Sequence, residues 1–205
     1  AQATPHLITS VTDLDADFYT TSAHKICGPT GIGMLYGKEE WLKKLPPYQG
    51  GGEMIDQVTF EKTTYADIPH KFEAGTPNIA GAVGFGAAID YINKIGFDFI
   101  ESHEKDLLKN ATNQLRKITG MKIYGDIENK VPVISFNVDK VHHYDLGTIL
   151  DKMGIAVRTG QHCCQPIMDF YGINGTVRAS FAFYNTHREV DMFVNGVKKA
   201  VKMLL

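Results

Sequence analysis

Hydrophobic and polar positions fall into two regimes along this chain. Up to residue 72 no long period holds. Residues 17–21 and 34–36 are short β-like runs among turn formers, and they predict short strands. Glu39–Lys44 predicts a short helix, closed by Pro46 and Pro47. Gly50, Gly51 and Gly52 predict a polar loop, and 53–72 an extended loop with short strands. After Asn78 the period turns helical. Phe85, Ile89 and Ile92 recur at helical spacing, and Gly96 supplies a stop. A second helix is predicted over 97–118. Leu107, Ala111, Leu115 and Ile118 form its buried stripe, and Glu101, Glu104, Lys105 and Lys109 its solvated face. The turn at 94–97 is read as a domain boundary, dividing the chain into 1–95 and 96–205.

The second half alternates strand and helix patterns, as a small α+β unit does. Residues 131–138 alternate, with Ile134, Phe136 and Val138 on one face. Residues 144–153 predict a helix stopped by Gly154, and 155–159 a strand. Residues 176–184 alternate strictly, leaving Arg178 alone on the polar face of an apolar strand. Thr186-His187-Arg188-Glu189 reads as a capping box. It opens a last helix with Val190, Val194, Val197, Val201 and Leu204 inward. His142 and His143 are read as capping or surface residues at a helix start.

Composition narrows the function classes. The 205 residues carry 21 Lys and Arg against 23 Asp and Glu, so no strongly basic face argues for nucleic acid or an anionic membrane. No apolar run approaches a membrane span, and no signal peptide is visible. Three cysteines, two of them adjacent, do not make a disulfide framework. They suit a reducing, cytoplasmic compartment. The opening Ala1-Gln2-Ala3 reads as a cut or an omitted segment rather than a natural start.

Three stretches carry candidate chemistry. In Ser22-Ala23-His24-Lys25, a lysine follows a strand and precedes the turn Gly28-Pro29-Thr30-Gly31-Ile32-Gly33. A lysine amine can form a Schiff base, and free backbone N–H groups of a turn suit a phosphate. Pyridoxal phosphate offers both an aldehyde and a phosphate. The bland alternative is a surface lysine before an ordinary turn. In Arg158-Thr159-Gly160-Gln161-His162-Cys163-Cys164, a cysteine sits on a loop with basic neighbours that favour a thiolate. An inert cysteine pair, a zinc site and a vicinal disulfide are the other readings. No metal is expected, because contiguous residues cannot easily supply three tetrahedral ligands. Arg178 can fork two N–H bonds to a carboxylate, or be a surface arginine.

Taken in order, these runs, with Phe72-Glu73-Ala74-Gly75-Thr76-Pro77-Asn78 and Arg178-Ala179-Ser180, closely resemble the SUF-type (group II) cysteine desulfurases of the class V aminotransferase superfamily. The resemblance runs the whole length of the chain. It implies an α/β fold, the pyridoxal-phosphate-dependent transferase fold type I. Residues 1–95 would be the remainder of the large cofactor-binding domain and 96–205 the C-terminal α+β small domain. It implies pyridoxal 5'-phosphate bonded to Lys25, with Ser22 and His24 at the phosphate and Gln2 on the phenolic oxygen. Thr76 would reach the phosphate from the other subunit of a homodimer. Cys163 would be the nucleophile that becomes a persulfide. Arg178 would hold the substrate carboxylate, with Arg158 beside the cysteine. The implied reaction converts L-cysteine to L-alanine and passes sulfur to an acceptor protein of the SUF system for iron–sulfur cluster assembly.

The sequence also departs from that family pattern. Gln161 stands where many relatives have a second histidine, and Cys164 where an alanine is usual. An aspartate for the pyridinium nitrogen and a ring-stacking histidine lie upstream of the matched region in the family. The expectation is therefore a C-terminal half, inactive alone. Alternatives are a selenocysteine lyase or another class V enzyme, and a non-catalytic scaffold or interaction fragment.

Overall fold

The computed structural model describes all 205 residues. They form two compact units, Ala1–Phe97 and Asp98–Leu205.

In the first unit, turns over the N-terminal residues lead to strand β1 (Phe18–Ser22), which pairs antiparallel with β2 (Gly33–Gly37). Helix α1 (Glu39–Lys44) follows, with acidic residues in its first turn and basic ones in its last, as the helix dipole favours. Lys71 donates to the Leu42 and Lys43 carbonyls at 3.2 and 3.1 Å, satisfying acceptors that the end of so short a helix leaves open. Strands β3 (Ile55–Val58) and β4 (Thr63–Tyr65) form a second antiparallel pair. Helix α2 (Ile79–Ile95) is capped by Asn78, which accepts from the Gly81 N–H at 3.0 Å. It ends at Gly96, whose φ of 88° suits glycine. Its buried positions are Gly81, Ala88 and Ile92; Phe85 is half-buried and Ile89 exposed. The unit has no parallel strand pair. It exposes Tyr48, Val58, Phe60 and Val83.

The second unit is an antiparallel sheet of four strands in the order β5-β6-β8-β7, with helices packed on its apolar residues. The strands are β5 (Met121–Tyr124), β6 (Val133–Val138), β7 (Arg158–Gly160) and β8 (Thr176–Ser180); the helices are α3 (Phe97–Leu115), α4 (His143–Lys152), α5 (Gln165–Tyr171) and α6 (His187–Leu204). Ile134, Phe136 and Val138 of β6 are buried, the alternation that a sheet covered on one face requires. They meet Leu107, Ala111 and Leu115 of α3, Leu146 and Leu150 of α4, and Val190, Val194 and Val197 of α6 in one core. At α6 both halves of the capping box form. Thr186 Oγ1 accepts from the Glu189 N–H at 3.2 Å, and Glu189 Oε2 accepts from the Thr186 N–H at 2.7 Å.

Several expected bounds shift. The strand expected over 176–184 stops at Ser180, because Phe181 and Ala182 enter a turn closed by Asn185, whose side chain accepts from the Ala182 N–H at 2.9 Å. The strand expected over 155–159 is only Arg158–Gly160, since β8 offers pairing partners to those three residues alone. Strand β5 and helix α5 carry no strong sequence period. Glu104 does not lie on the solvated face of α3; it is 2% exposed. Its spacing to Ile100 and Leu107 sets it along their stripe. His143 is buried rather than superficial, while His142 does cap α4, accepting from the Tyr144 N–H at 3.4 Å.

Candidate active site

Strand β1 carries the lysine stretch to its end. Ser22 is its last residue and is half-buried; Ala23, His24 and Lys25 form a single 3-10 turn in which Ala23 is buried and His24 and Lys25 are exposed. The turn is held by its backbone. The Ala23 N–H donates to the Ile32 carbonyl at 3.1 Å, and the Gly28 N–H donates to the Ala23 carbonyl at 2.8 Å. Gly28 is required there, because a Cβ would lie 2.9 Å from Ala23 Cβ. The stretch before α2 abuts the same turn. Asn78 Nδ2 donates to the Gly31 carbonyl at 3.5 Å, and Pro29 lies against Gly84. Two of the stretches recognised in the sequence are thus joined in the first unit. Gln2 and Thr76 are both exposed, Gln2 in the N-terminal turns and Thr76 two residues before the α2 cap.

The cysteine stretch and Arg178 meet in the second unit. Strands β7 and β8 set Arg158 directly opposite Arg178. β8 lies between β6 and β7, so Arg178 is on an inner strand. After β7 the chain turns through Gly160, His162 and Cys163, all with positive φ. His162 and Cys163 are not glycines, and a left-handed non-glycine residue costs about 1–3 kcal/mol. The loop is anchored by His162, whose Nε2 lies 2.9 Å from Thr176 Oγ1 and 3.1 Å from the Thr176 carbonyl. Thr176 is 1% exposed. Cys163 is exposed, and Arg158 Nη2 lies 3.7 Å from its Sγ.

The electrostatics follow from crowding of positive charge. Burial and then the facing Arg158 push the Arg178 guanidinium below its usual value, and the two thiols oppose that shift. Burial and then Arg178 push His162 down; its hydrogen bond to Thr176 opposes the shift. Burial and then His142 push His143 down. Both histidines are therefore held neutral in the fold, and the unfolded chain binds protons at higher pH. Their contribution to stability is complete above the unfolded value of about 6.5 and is lost as pH falls from there through the lowered folded values. The urea midpoint of the second unit should fall between about pH 7 and pH 5, above the range where carboxylates titrate. A midpoint that rose over that interval would contradict the assignment.

Sequence reasoning missed Thr176 and His143. A threonine opening a strand carries no signal of its role as anchor. His143 is paired by sequence with His142, and only packing separates them: His143 lies against Gly175, where no Cβ would fit. No cluster of metal-ligating residues is present.

The family model for class V aminotransferases matches residues 1–193. The chain belongs to the class V aminotransferase family. Among its relatives, a protein of Xylella fastidiosa described as a probable cysteine desulfurase is 48% identical over 204 residues, covering 100% of this chain and 49% of the relative. The crystal structure of the Escherichia coli cysteine desulfurase CsdA, in an S-sulfonic acid form, superimposes with a TM-score of 0.94 at 41% identity, covering 100% of this chain and 51% of that one. The apo structure of a cysteine desulfurase from Thermococcus onnurineus gives 0.94 at 42% identity, covering 99% and 51%. The chain thus has the mixed α/β fold of these family structures and spans about half the length of the curated relatives it matches. No helix is long and apolar enough to cross a membrane.

Proposed function

We propose that this chain carries the lysine, the cysteine and the carboxylate-binding arginine of a cysteine desulfurase of the SUF type, acting on L-cysteine with pyridoxal 5'-phosphate. One observation carries the reading. An exposed cysteine stands on a backbone-strained loop with a guanidinium 3.7 Å from its sulfur, next to a second arginine on the facing strand. The first unit fits the cofactor. Lys25 is exposed at the end of the single 3-10 turn that follows β1, with His24 exposed beside it and Ser22 half-buried at the strand end.

Pyridoxal phosphate bound there supplies an electron sink for a carbanion at the substrate Cα. The protein residues do the rest. Lys25 bonds the cofactor and moves the Cα proton. Arg178 holds the substrate carboxylate through a bidentate fork. The Cys163 thiolate attacks the substrate sulfur, so that an S–S bond forms as the Cβ–S bond breaks; the bond's electron pair stays with the Cβ side, and a proton added there completes the alanine that is released. Ser22 and His24 would hold the cofactor's phosphate, Gln2 would hold its phenolic oxygen, and Thr76 would serve the partner subunit of a homodimer. The persulfide sulfur passes to an acceptor protein.

The test is alanine and protein persulfide formation from L-cysteine by the complete protein loaded with cofactor. Cofactor binding without alanine formation would overturn the reading in favour of a non-catalytic role. Release of selenide from selenocysteine in preference to sulfide from cysteine would move it to a selenocysteine lyase. Arg178→Lys keeps the charge and loses the fork. Hydrogen bonds to charged groups contribute about 1.5–3 kcal/mol, so KM for L-cysteine should rise about tenfold to a hundredfold. An unchanged KM would remove Arg178 from the substrate site.

A further inference from the structure

We propose that Cys164 is a second sulfur-carrying position, which takes the persulfide sulfur from Cys163 and holds it in a cavity of the second unit. The inference rests on the desulfurase reading above.

The two adjacent thiols meet different surroundings. Both are exposed. Cys163 Sγ lies against Arg158 at the mouth of the loop. Cys164 instead lines a cavity of about 330 Å³, together with Ser135, His162, Tyr171, Thr176 and Arg178. The loop geometry separates them. Cys163 has a left-handed φ of 60° and Cys164 a negative φ of -134°, and the Cys164 N–H is tied to the Gln161 carbonyl at 3.0 Å. The cavity wall also holds unused hydrogen-bonding capacity. Arg178 Nε is buried without a partner. An anionic sulfur on Cys164 would therefore share its cavity with the Arg178 guanidinium.

The step balances without an oxidant or reductant. The Cys164 thiolate attacks the outer sulfur of the Cys163 persulfide. The new bond joins Cys164 Sγ to that sulfur, the old S–S bond breaks, and Cys163 leaves as a thiolate. The inner sulfur is the poorer target. Attack there expels hydrosulfide and closes a disulfide between adjacent residues, whose Cα atoms are only about 3.8 Å apart, short of the roughly 4.4 Å lower bound of ordinary disulfides. The outer sulfur adds one atom to the bridge and relieves that constraint.

The experiment locates the extra sulfur. The complete, cofactor-loaded protein is given L-cysteine, alkylated at once, digested and read by tandem mass spectrometry; alanine is measured in parallel. The wild type should carry the extra sulfur on Cys163 and on Cys164. Cys164→Ser should carry it on Cys163 alone, and Cys163→Ser on neither. Sulfur confined to Cys163 in the wild type overturns the proposal. So does sulfur on Cys164 in Cys163→Ser, or a Cys163–Cys164 disulfide formed with release of sulfide. Absence of alanine counts against the desulfurase reading instead. In that case inorganic polysulfide replaces L-cysteine as the donor. The proposal then stands if Cys164 carries the sulfur only when Cys163 is present, and falls otherwise.

Discussion

Replacing Cys163 by serine is expected to lower alanine formation from L-cysteine by about a thousandfold or more in the complete, cofactor-loaded protein, a barrier increase of about 4 kcal/mol. The sulfur-transfer step needs a polarisable anion at this position, and a serine hydroxyl is neither ionised at neutral pH nor able to form a persulfide. The geometry leaves the substitution little else to disturb. The side chain is exposed, its sulfur accepts a hydrogen bond from Arg158 Nη2 at 3.7 Å, and the loop is anchored through His162 and Thr176 rather than through the cysteine. Cofactor absorption should survive, because Lys25 lies on a separate stretch held by its own backbone hydrogen bonds. A Cys163→Ser protein that turned over at the wild-type rate would transfer the nucleophile's role elsewhere, Cys164 first.

The largest stability effect is expected at Phe136. It is fully buried in the middle of β6 and meets the ring of Phe193 edge-to-face, with centroids 6.0 Å apart; Phe193 meets Phe181 at the same distance. Strand and helix are joined by this aromatic row, which adds a geometric term to simple burial. Phe136→Ala removes the ring and leaves a cavity that the sheet and α6 cannot both collapse to fill. The cost should be about 3–5 kcal/mol, enough to lower the melting temperature of the second unit by more than about 10 °C. Phe170→Ala, on a side chain 82% exposed, should change stability by no more than about 0.5 kcal/mol. Equal effects at the two positions would show that Phe136 does not centre the core.

The comparison between sequence and structure is clearest at the two ends of the second unit. The start and the inner valines of the last helix were legible, though not the buried Phe193. Its valines recur at helical spacing, its start is written by Thr186 and Glu189, and both reciprocal hydrogen bonds form. Such signals are local: the spacing that makes a helix amphipathic and the residues that cap it lie within a few positions of each other. The same holds for β6, where alternation alone assigns Ile134, Phe136 and Val138 to the core. Glu104 failed on the same helix type. Its acidic chemistry points to the solvated face, whereas its position relative to Ile100 and Leu107 decides its burial.

For the candidate site, the sequence by itself singled out the residues proposed to carry chemistry. Lys25 after a strand, Cys163 among basic neighbours and Arg178 on a polar strand face are patterns of residue type and short spacing. Only the tertiary structure decided what surrounds them. Pairing of β7 with β8 sets Arg158 opposite Arg178, across a separation of twenty residues that no local period records. Packing buries Thr176 so that it can hold His162, and lays Asn78 against the turn after Lys25. It also gives Cys163 and Cys164, neighbours of identical chemistry, an arginine in one case and a cavity wall in the other. Residue type and local period are properties of short stretches of chain, while burial, charge crowding and cavity shape are sums over distant ones.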